Sequence, residues 1–281
     1  MHGTVVNAKQ IVKSFYGKDI AYSYYRGCST GGRQGFKEAQ LYPEDFDGIV
    51  AGAPAWWTAH LQMHNFYMGY RNLPVGAPHR ISSQQVAALG AEVLKQCDPQ
   101  DGVRDNIISN PRACIFRPET LLCNENEANS TSCFTQAQME TVTTIYSDWF
   151  EANQTFVFPH LELGSESEWN MLVTVNEPTS LGTDYIRYML GLGPNWNWRD
   201  WNPSIISLSD RMNPGNATFN DFDLSPFHKR GGKILHYHGW SDGGIATGSS
   251  VYLYNQILRT MQPKRVKLDD FYRFFLVPGL K

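Results

Sequence analysis

The 281 residues contain no apolar run of the roughly 18–20 residues that a membrane-spanning helix needs, which excludes such a helix. The opening stretch, MHGTVVNAKQ, has neither the apolar core nor the small-residue cleavage site of a signal peptide. Charge of one sign is lacking as well. With 24 Lys and Arg against 27 Asp and Glu, the formal net charge is −3, which gives no electrostatic ground for nucleic acid or an anionic membrane as a partner. There is no internal repeat, no low-complexity tract and no Cys–His spacing of a zinc site.

Hydrophobic residues make up 42% and charged residues 18%, as in a globular protein. Aromatics reach 13%, with 8 Trp and 14 Tyr, enough for extensive packing or for an exposed platform facing a ring-bearing ligand. Glycosylation sequons stand at Asn129, Asn153 and Asn216, which points outside the cell. Four of the five cysteines crowd together at Cys97, Cys114, Cys123 and Cys133. The local pairs are Cys97–Cys114 and Cys123–Cys133, although four cysteines allow three pairings. Cys28 is left unpaired.

Four apolar, β-rich runs read as buried parallel strands: IAYSYYRG (20–27), GIVAGAP (48–54), KILHYHG (233–239) and YRFFLVPG (272–279). GGRQGFKEAQLY after the first and GSSVYLYNQILRTM after the third read as helices, so the fold class is α/β. Between residues 56 and 229 the pattern changes to Trp-rich segments, clustered cysteines and Asn/Pro turns. That stretch is too long for a loop. It is expected to be an inserted lid domain, with helices in SSQQVAALGAEVLKQ and TQAQMETVTTIYSDWF, while residues 1–55 and 230–281 form the core.

Gly27-Cys28-Ser29-Thr30-Gly31 matches the G-x-S-x-G nucleophile elbow, in the required context of a strand before and a helix after. The flanking glycines are needed because side chains there would strike the neighbouring strand and helix. Ser29 is the candidate nucleophile, and the Thr30 amide would supply half of an oxyanion hole. A chance match in a glycine-rich turn is the bland alternative. Asp242, in HYHGWSDGG just after an apolar strand, stands where the acid of such a triad belongs. The bland alternative is an ordinary turn Asp before Gly-Gly. None of the eight histidines follows Asp242, and His236 and His238 alternate along the preceding strand as packing residues would.

A second constellation is Asp98, Asp101, Val103, Asp105 and Ile107, in CDPQDGVRDNII. From Asp101 onward the groups alternate at a spacing of two, and Gly102 permits a tight turn. Three carboxylates with backbone carbonyls suit a hard cation. An acidic, solvated turn would look the same on spacing alone.

GCSTGGRQGFKEAQLYPEDFDGIVAGAPA, CDPQDGVRDNIISNPRAC and LHYHGWSDGG, in this order, resemble the tannase and feruloyl esterase family over most of the chain. The resemblance implies an α/β-hydrolase core, here a partial parallel sheet, with a large inserted lid. It also implies a Cys-Ser-Asp-His arrangement in which Cys28 precedes the nucleophile and Asp242 is the acid. The family's cysteine beside Ser29 pairs with one that follows the catalytic histidine, and that His-Cys pair has no counterpart here. The chain is therefore expected to be a fragment, with the nucleophile strand as a bare, aggregation-prone edge. The calcium loop is implied to bind structural Ca²⁺ through Asp98, Asp101 and Asp105 side chains and the Val103 and Ile107 carbonyls.

The expected activity is that of a secreted serine carboxylic ester hydrolase acting on a small aromatic ester, feruloyl or galloyl, from plant cell wall or tannin. Trp56, Trp57, Trp196, Trp198 and Trp201 are candidates for the aromatic walls or simply for the core. Without the histidine, the chain itself is expected to be inactive or nearly so. The rival reading is a non-catalytic, calcium-stabilised binding module.

Overall fold

A computed structural model describes residues 1–124 and 131–281. The Asn129 sequon lies outside the described residues. In chain order the helices and strands are α1 (His2–Tyr16), β1 (Tyr24–Cys28), α2 (Thr30–Leu41), β2 (Gly48–Gly52), α3 (Thr58–Arg71), α4 (Ser83–Cys97), α5 (Gln136–Ile145), β3 (Trp149–Phe150), β4 (Phe156–Phe158), α6 (Ser180–Asp184), α7 (Ser204–Met212), α8 (Ser225–Lys229), β5 (Lys233–Gly239), α9 (Gly248–Met261) and β6 (Tyr272–Val277). They fall into two compact units. The first comprises Met1–Thr58, Gly215–His238 and Ser250–Leu276; the second comprises Ala59–Pro214, Gly239–Ser249 and Val277–Lys281.

The first unit is built on a four-stranded sheet of order β1-β2-β5-β6. β1 pairs parallel with β2 from Tyr24 opposite Gly48 to Cys28 opposite Gly52, and β2 pairs parallel with β5. Phe36 of α2, Ile49 of β2, Ile234 of β5, Leu253 and Ile257 of α9 and Tyr272 of β6 meet in one core. Burying these side chains is the main force holding helices to sheet. α2 lies close on the sheet because its inner face carries glycine. A Cβ on Gly32 would stand 2.5 Å from the Gly52 carbonyl oxygen, and one on Gly35 2.8 Å from Ile49.

Continuous apolar runs predict strands buried on both faces. The structure covers one. In β5, Ile234 and His236 point inward while Leu235 is 44% exposed, and Tyr24 of β1 is 72% exposed. Tyr24, Val50, Leu235 and Arg273 line an open groove of about 600 Å³ on the uncovered side. α1, which the apolar pattern does not announce, buries none of its residues and stops at Gly17 in the left-handed region.

In the second unit, α4 and α5 each open with a capping box, Ser82 with Gln85 and Thr135 with Gln138. Val86, Leu89 and Val93 of α4 recur at helical spacing and are buried. The sequence predicts α5 through Phe150, but it ends at Ile145. Asp148 instead accepts from the His160 amide at 3.0 Å, and Trp149–Phe150 pairs antiparallel with Phe156–Phe158. A second apolar cluster gathers Met63, Phe66, Val157, Ile186, Trp198 and Ile205.

Candidate active site

Ser29 sits where β1 turns into α2, at φ 58°, ψ −120°. A serine at positive φ is costly and persists only where its surroundings force it. Here three backbone hydrogen bonds do so. The Ser29 amide donates to the Gly52 carbonyl at 3.0 Å, and the Ser29 carbonyl accepts from Arg33 and Ala55 at 3.1 Å each. Gly27 is required, because a Cβ there would stand 2.7 Å from the Gly31 backbone. At Gly31 the nearest atom would be the Tyr25 hydroxyl at 3.3 Å, so the tighter glycine after the serine is Gly32.

Ser29 is the N-cap of α2, yet its side chain makes no capping bond. Ser29 is exposed and so is Thr30. Thr30 is the first helical residue, and its amide has no partner within the helix. An anionic oxygen placed there would meet a backbone donor and the positive end of the helix. Cys28, beside the serine, is a free and exposed thiol.

His236 and His238 are each 0% exposed. Both share a hydrogen bond with the Ser250 hydroxyl, His236 Nε2 at 2.9 Å and His238 Nδ1 at 2.7 Å, and His236 Nδ1 also meets the Tyr272 hydroxyl at 2.8 Å. Burial, reinforced by His238, holds the His236 imidazole well below its usual pKa. These two histidines pack the space between β5 and α9.

Asp242 belongs to the second unit and is 8% exposed. Its Oδ1 accepts from the Gly244 and Ile245 amides at 2.9 and 2.8 Å, which fixes the carboxylate at the head of the loop after β5. Glu168, which the sequence reading passes over, takes the intervening Gly243 amide at 2.9 Å.

The other missed group is a charged cluster in the same unit. Arg112 Nε and Nη2 reach Glu162 Oε1 at 2.8 and 2.7 Å. Glu162 also faces His160 Nε2 at 3.6 Å, and His160 Nδ1 bonds Asp148 at 2.6 Å. The Asp148 hydrogen bond, then Glu162, raises the His160 pKa to about 9. Residue types alone carry no signal for such a cluster, since its members lie up to 50 positions apart.

Both local disulfides are formed, Cys97–Cys114 and Cys123–Cys133. In the loop that the first one closes, Asp101 Oδ1 accepts from the Val103 amide at 2.9 Å, Asp105 Oδ1 from Ile107 at 3.0 Å, and Asp98 Oδ1 from Asp105 at 3.2 Å. Gly102 takes φ 92°. Among the described residues no three His, Cys, Asp or Glu stand close enough together to hold a metal ion. The donors are hard oxygens of the kind calcium takes, but here the carboxylates cap the loop's own amides.

Of the five tryptophans singled out, Trp56 and Trp198 are core residues, 2% and 8% exposed. Trp57 is part-buried and stacks on Tyr252 at 5.3 Å. Trp196 and Trp201 are part-buried against the second unit's cluster.

The chain is similar to known proteins in sequence and in fold. The family described as "Tannase and feruloyl esterase" matches residues 1–166 and 195–281. Probable feruloyl esterase B-2 of Neosartorya fischeri is 38% identical over 283 residues, covering 100% of this chain and 53% of the relative. Probable feruloyl esterase B-1 of Aspergillus flavus is 38% identical over 280 residues, again covering 53% of the relative. The crystal structure of feruloyl esterase B from Aspergillus oryzae superposes with a TM-score of 0.93 at 37% identity, over 99% of this chain and 56% of the other. Tannin acyl hydrolase from Aspergillus niger shares the fold, with a TM-score of 0.76 at 22% identity. The chain thus spans about half the length of these relatives.

Proposed function

The chain belongs to the tannase and feruloyl esterase family, and on that premise we propose that it carries the nucleophile of a serine carboxylic ester hydrolase acting on aromatic esters. The observation that carries this reading is the strained, uncapped serine at the strand–helix turn. Ser29 Oγ attacks the ester carbonyl and the alcohol leaves. The Thr30 amide stabilises the oxyanion, and water then releases the acyl group from Ser29. Asp242, ordered by two amide donors, is the acid of the family's arrangement, and the histidine it would orient has no counterpart among the eight in this chain. Feruloyl and galloyl esters of plant cell wall and tannin are the substrate class.

His236 and His238 are committed to Ser250 and do not serve as that base. The 281 residues alone are therefore proposed to turn over such esters weakly or not at all. Loss of one triad member leaves roughly 10³–10⁴-fold catalysis over water. Assay of a chromogenic aromatic ester tests both statements. Residual turnover should vanish in Ser29→Ala. Robust turnover lost in Ser29→Ala would refute the weak-activity proposal, and turnover that survives Ser29→Ala would refute the nucleophile.

Structural calcium in the disulfide-closed loop is part of the same proposal. Asp98, Asp101 and Asp105 would hold it with the Val103 and Ile107 carbonyls, and it would supply rigidity and no chemistry. Secretion is supported by the two disulfides and by exposed sequon residues Asn153 and Asn216.

A further inference from the structure

The loop closed by the Cys97–Cys114 disulfide touches the turn that carries Asp242, and all the contacts lie inside the second unit. The Arg112 guanidinium lies over the Trp240 indole, 5.2 Å from its centroid. A Cβ built on Gly164 would meet Ile108 at 3.3 Å and the Ser241 hydroxyl at 3.6 Å, so the two flank the same glycine. Ile107 approaches Gly279 within 3.2 Å of its would-be Cβ. The next residue, Leu280, accepts from the Ser241 amide at 3.0 Å.

Arg112 has a second anchor on its other side. Glu162 takes both Nε and Nη2, and Glu162 is 2% exposed. A guanidinium gripped in its own plane by a carboxylate is free to present its face to an aromatic ring, which an ammonium is not. Trp240 is 8% exposed, and its amide donates to the Val277 carbonyl at 2.9 Å, so the indole has little freedom to turn away. Arg112 is also two residues from Cys114, so the disulfide limits where its backbone goes.

From this geometry, and resting on the reading of Asp242 as the catalytic acid, we infer that Arg112 is a positioning residue: clamped by Glu162, it pins Trp240 and so sets the turn that presents Asp242. The disulfide-closed loop, rather than the sheet alone, then determines where the acid stands. Glu168 also holds the turn, accepting from the Gly243 amide.

Hydrogen exchange of the Gly244 and Ile245 amides tests this on the 281-residue chain, since both donate to Asp242 Oδ1. Arg112→Met should speed their exchange about tenfold, the scale of a lost partly buried cation–π contact, and leave the amides of β5 unchanged. Arg112→Lys keeps a cation for Glu162 but loses the stacking plane, and should speed the same amides by less. Trp240→Leu should match Arg112→Met, and the double variant should exchange no faster than either single one. Wild-type exchange in Arg112→Met, or single effects that multiply in the double variant, would overturn the inference. Should Arg112→Met not fold, Arg112→Lys and Trp240→Leu carry the same test. The readout is independent of catalysis, so an incorrect assignment of Asp242 would show separately, as unchanged ester turnover when the matching Asp is changed to Asn in a longer, active relative that carries the histidine.

Discussion

The Ser29 amide and the Gly52 carbonyl, 3.0 Å apart, tie the tip of β1 to the end of β2 and hold the serine at φ 58°. The strain is local, and its relief should be measurable. Positive φ costs a non-glycine residue about 1–3 kcal/mol, and glycine escapes that cost. Ser29→Gly is expected to unfold at higher urea than Ser29→Ala by roughly 1 kcal/mol. Equal midpoints would mean that the turn is unstrained.

The glycines around the serine make a steric prediction. A Cβ on Gly32 would press on the Gly52 carbonyl oxygen at 2.5 Å and on Pro54 Cα at 2.9 Å, both backbone atoms. Gly32→Ala should cost about 1–3 kcal/mol. Gly3→Ala, with nothing within 4 Å, should stay within about 0.5 kcal/mol. Urea titration of both variants decides it.

Two histidines of the second unit give opposite pH dependences. His160, raised to about 9 by Asp148 and Glu162, binds its proton more tightly folded than unfolded. Its contribution is complete below about 6.5 and is lost as pH rises through 9. His64 is fully buried, its ring nitrogens have no hydrogen-bond partner among the described residues, and burial followed by the His160 charge lowers its pKa to about 3. Its contribution is present above about 6.5 and is lost as pH falls toward 3. Stability against pH should therefore lose its alkaline slope in His160→Asn and its acid slope in His64→Leu. Slopes unchanged in these variants would contradict the assignments.

Calcium, if bound as proposed, stabilises the folded state by mass action. Millimolar calcium should raise the melting temperature, chelator should reverse the rise, and Asp101→Asn with Asp105→Asn should abolish it. A melting temperature indifferent to calcium would remove the metal from the account.

How much of this was legible in the sequence depends on the range of the interaction. The elbow could be read because a β-rich run, a Gly-x-Ser-x-Gly turn and a helix are adjacent, and β5 and α9 keep the boundaries their patterns predict. The disulfides could be read because their partners are 17 and 10 residues apart. The clamp of Arg112 between Glu162 and Trp240 could not, because nothing local marks residues brought together from three distant segments. The bare face of the sheet was hidden too: Leu235 is as apolar as Ile234, and only packing distinguishes the covered side from the open one. The end of α5 is not legible because Trp149 and Phe150 suit either a helix or a strand, and Asp148 bonding to His160 decides it.

The most direct test of the account is covalent labelling by a fluorophosphonate, which demands less activation than an ester, with the adduct located by peptide mass mapping. The account predicts one adduct, on Ser29, lost in Ser29→Ala and slowed in Gly32→Ala. An adduct that persists in Ser29→Ala, or one that forms on another residue of the folded chain while Ser29 stays unlabelled, would contradict it.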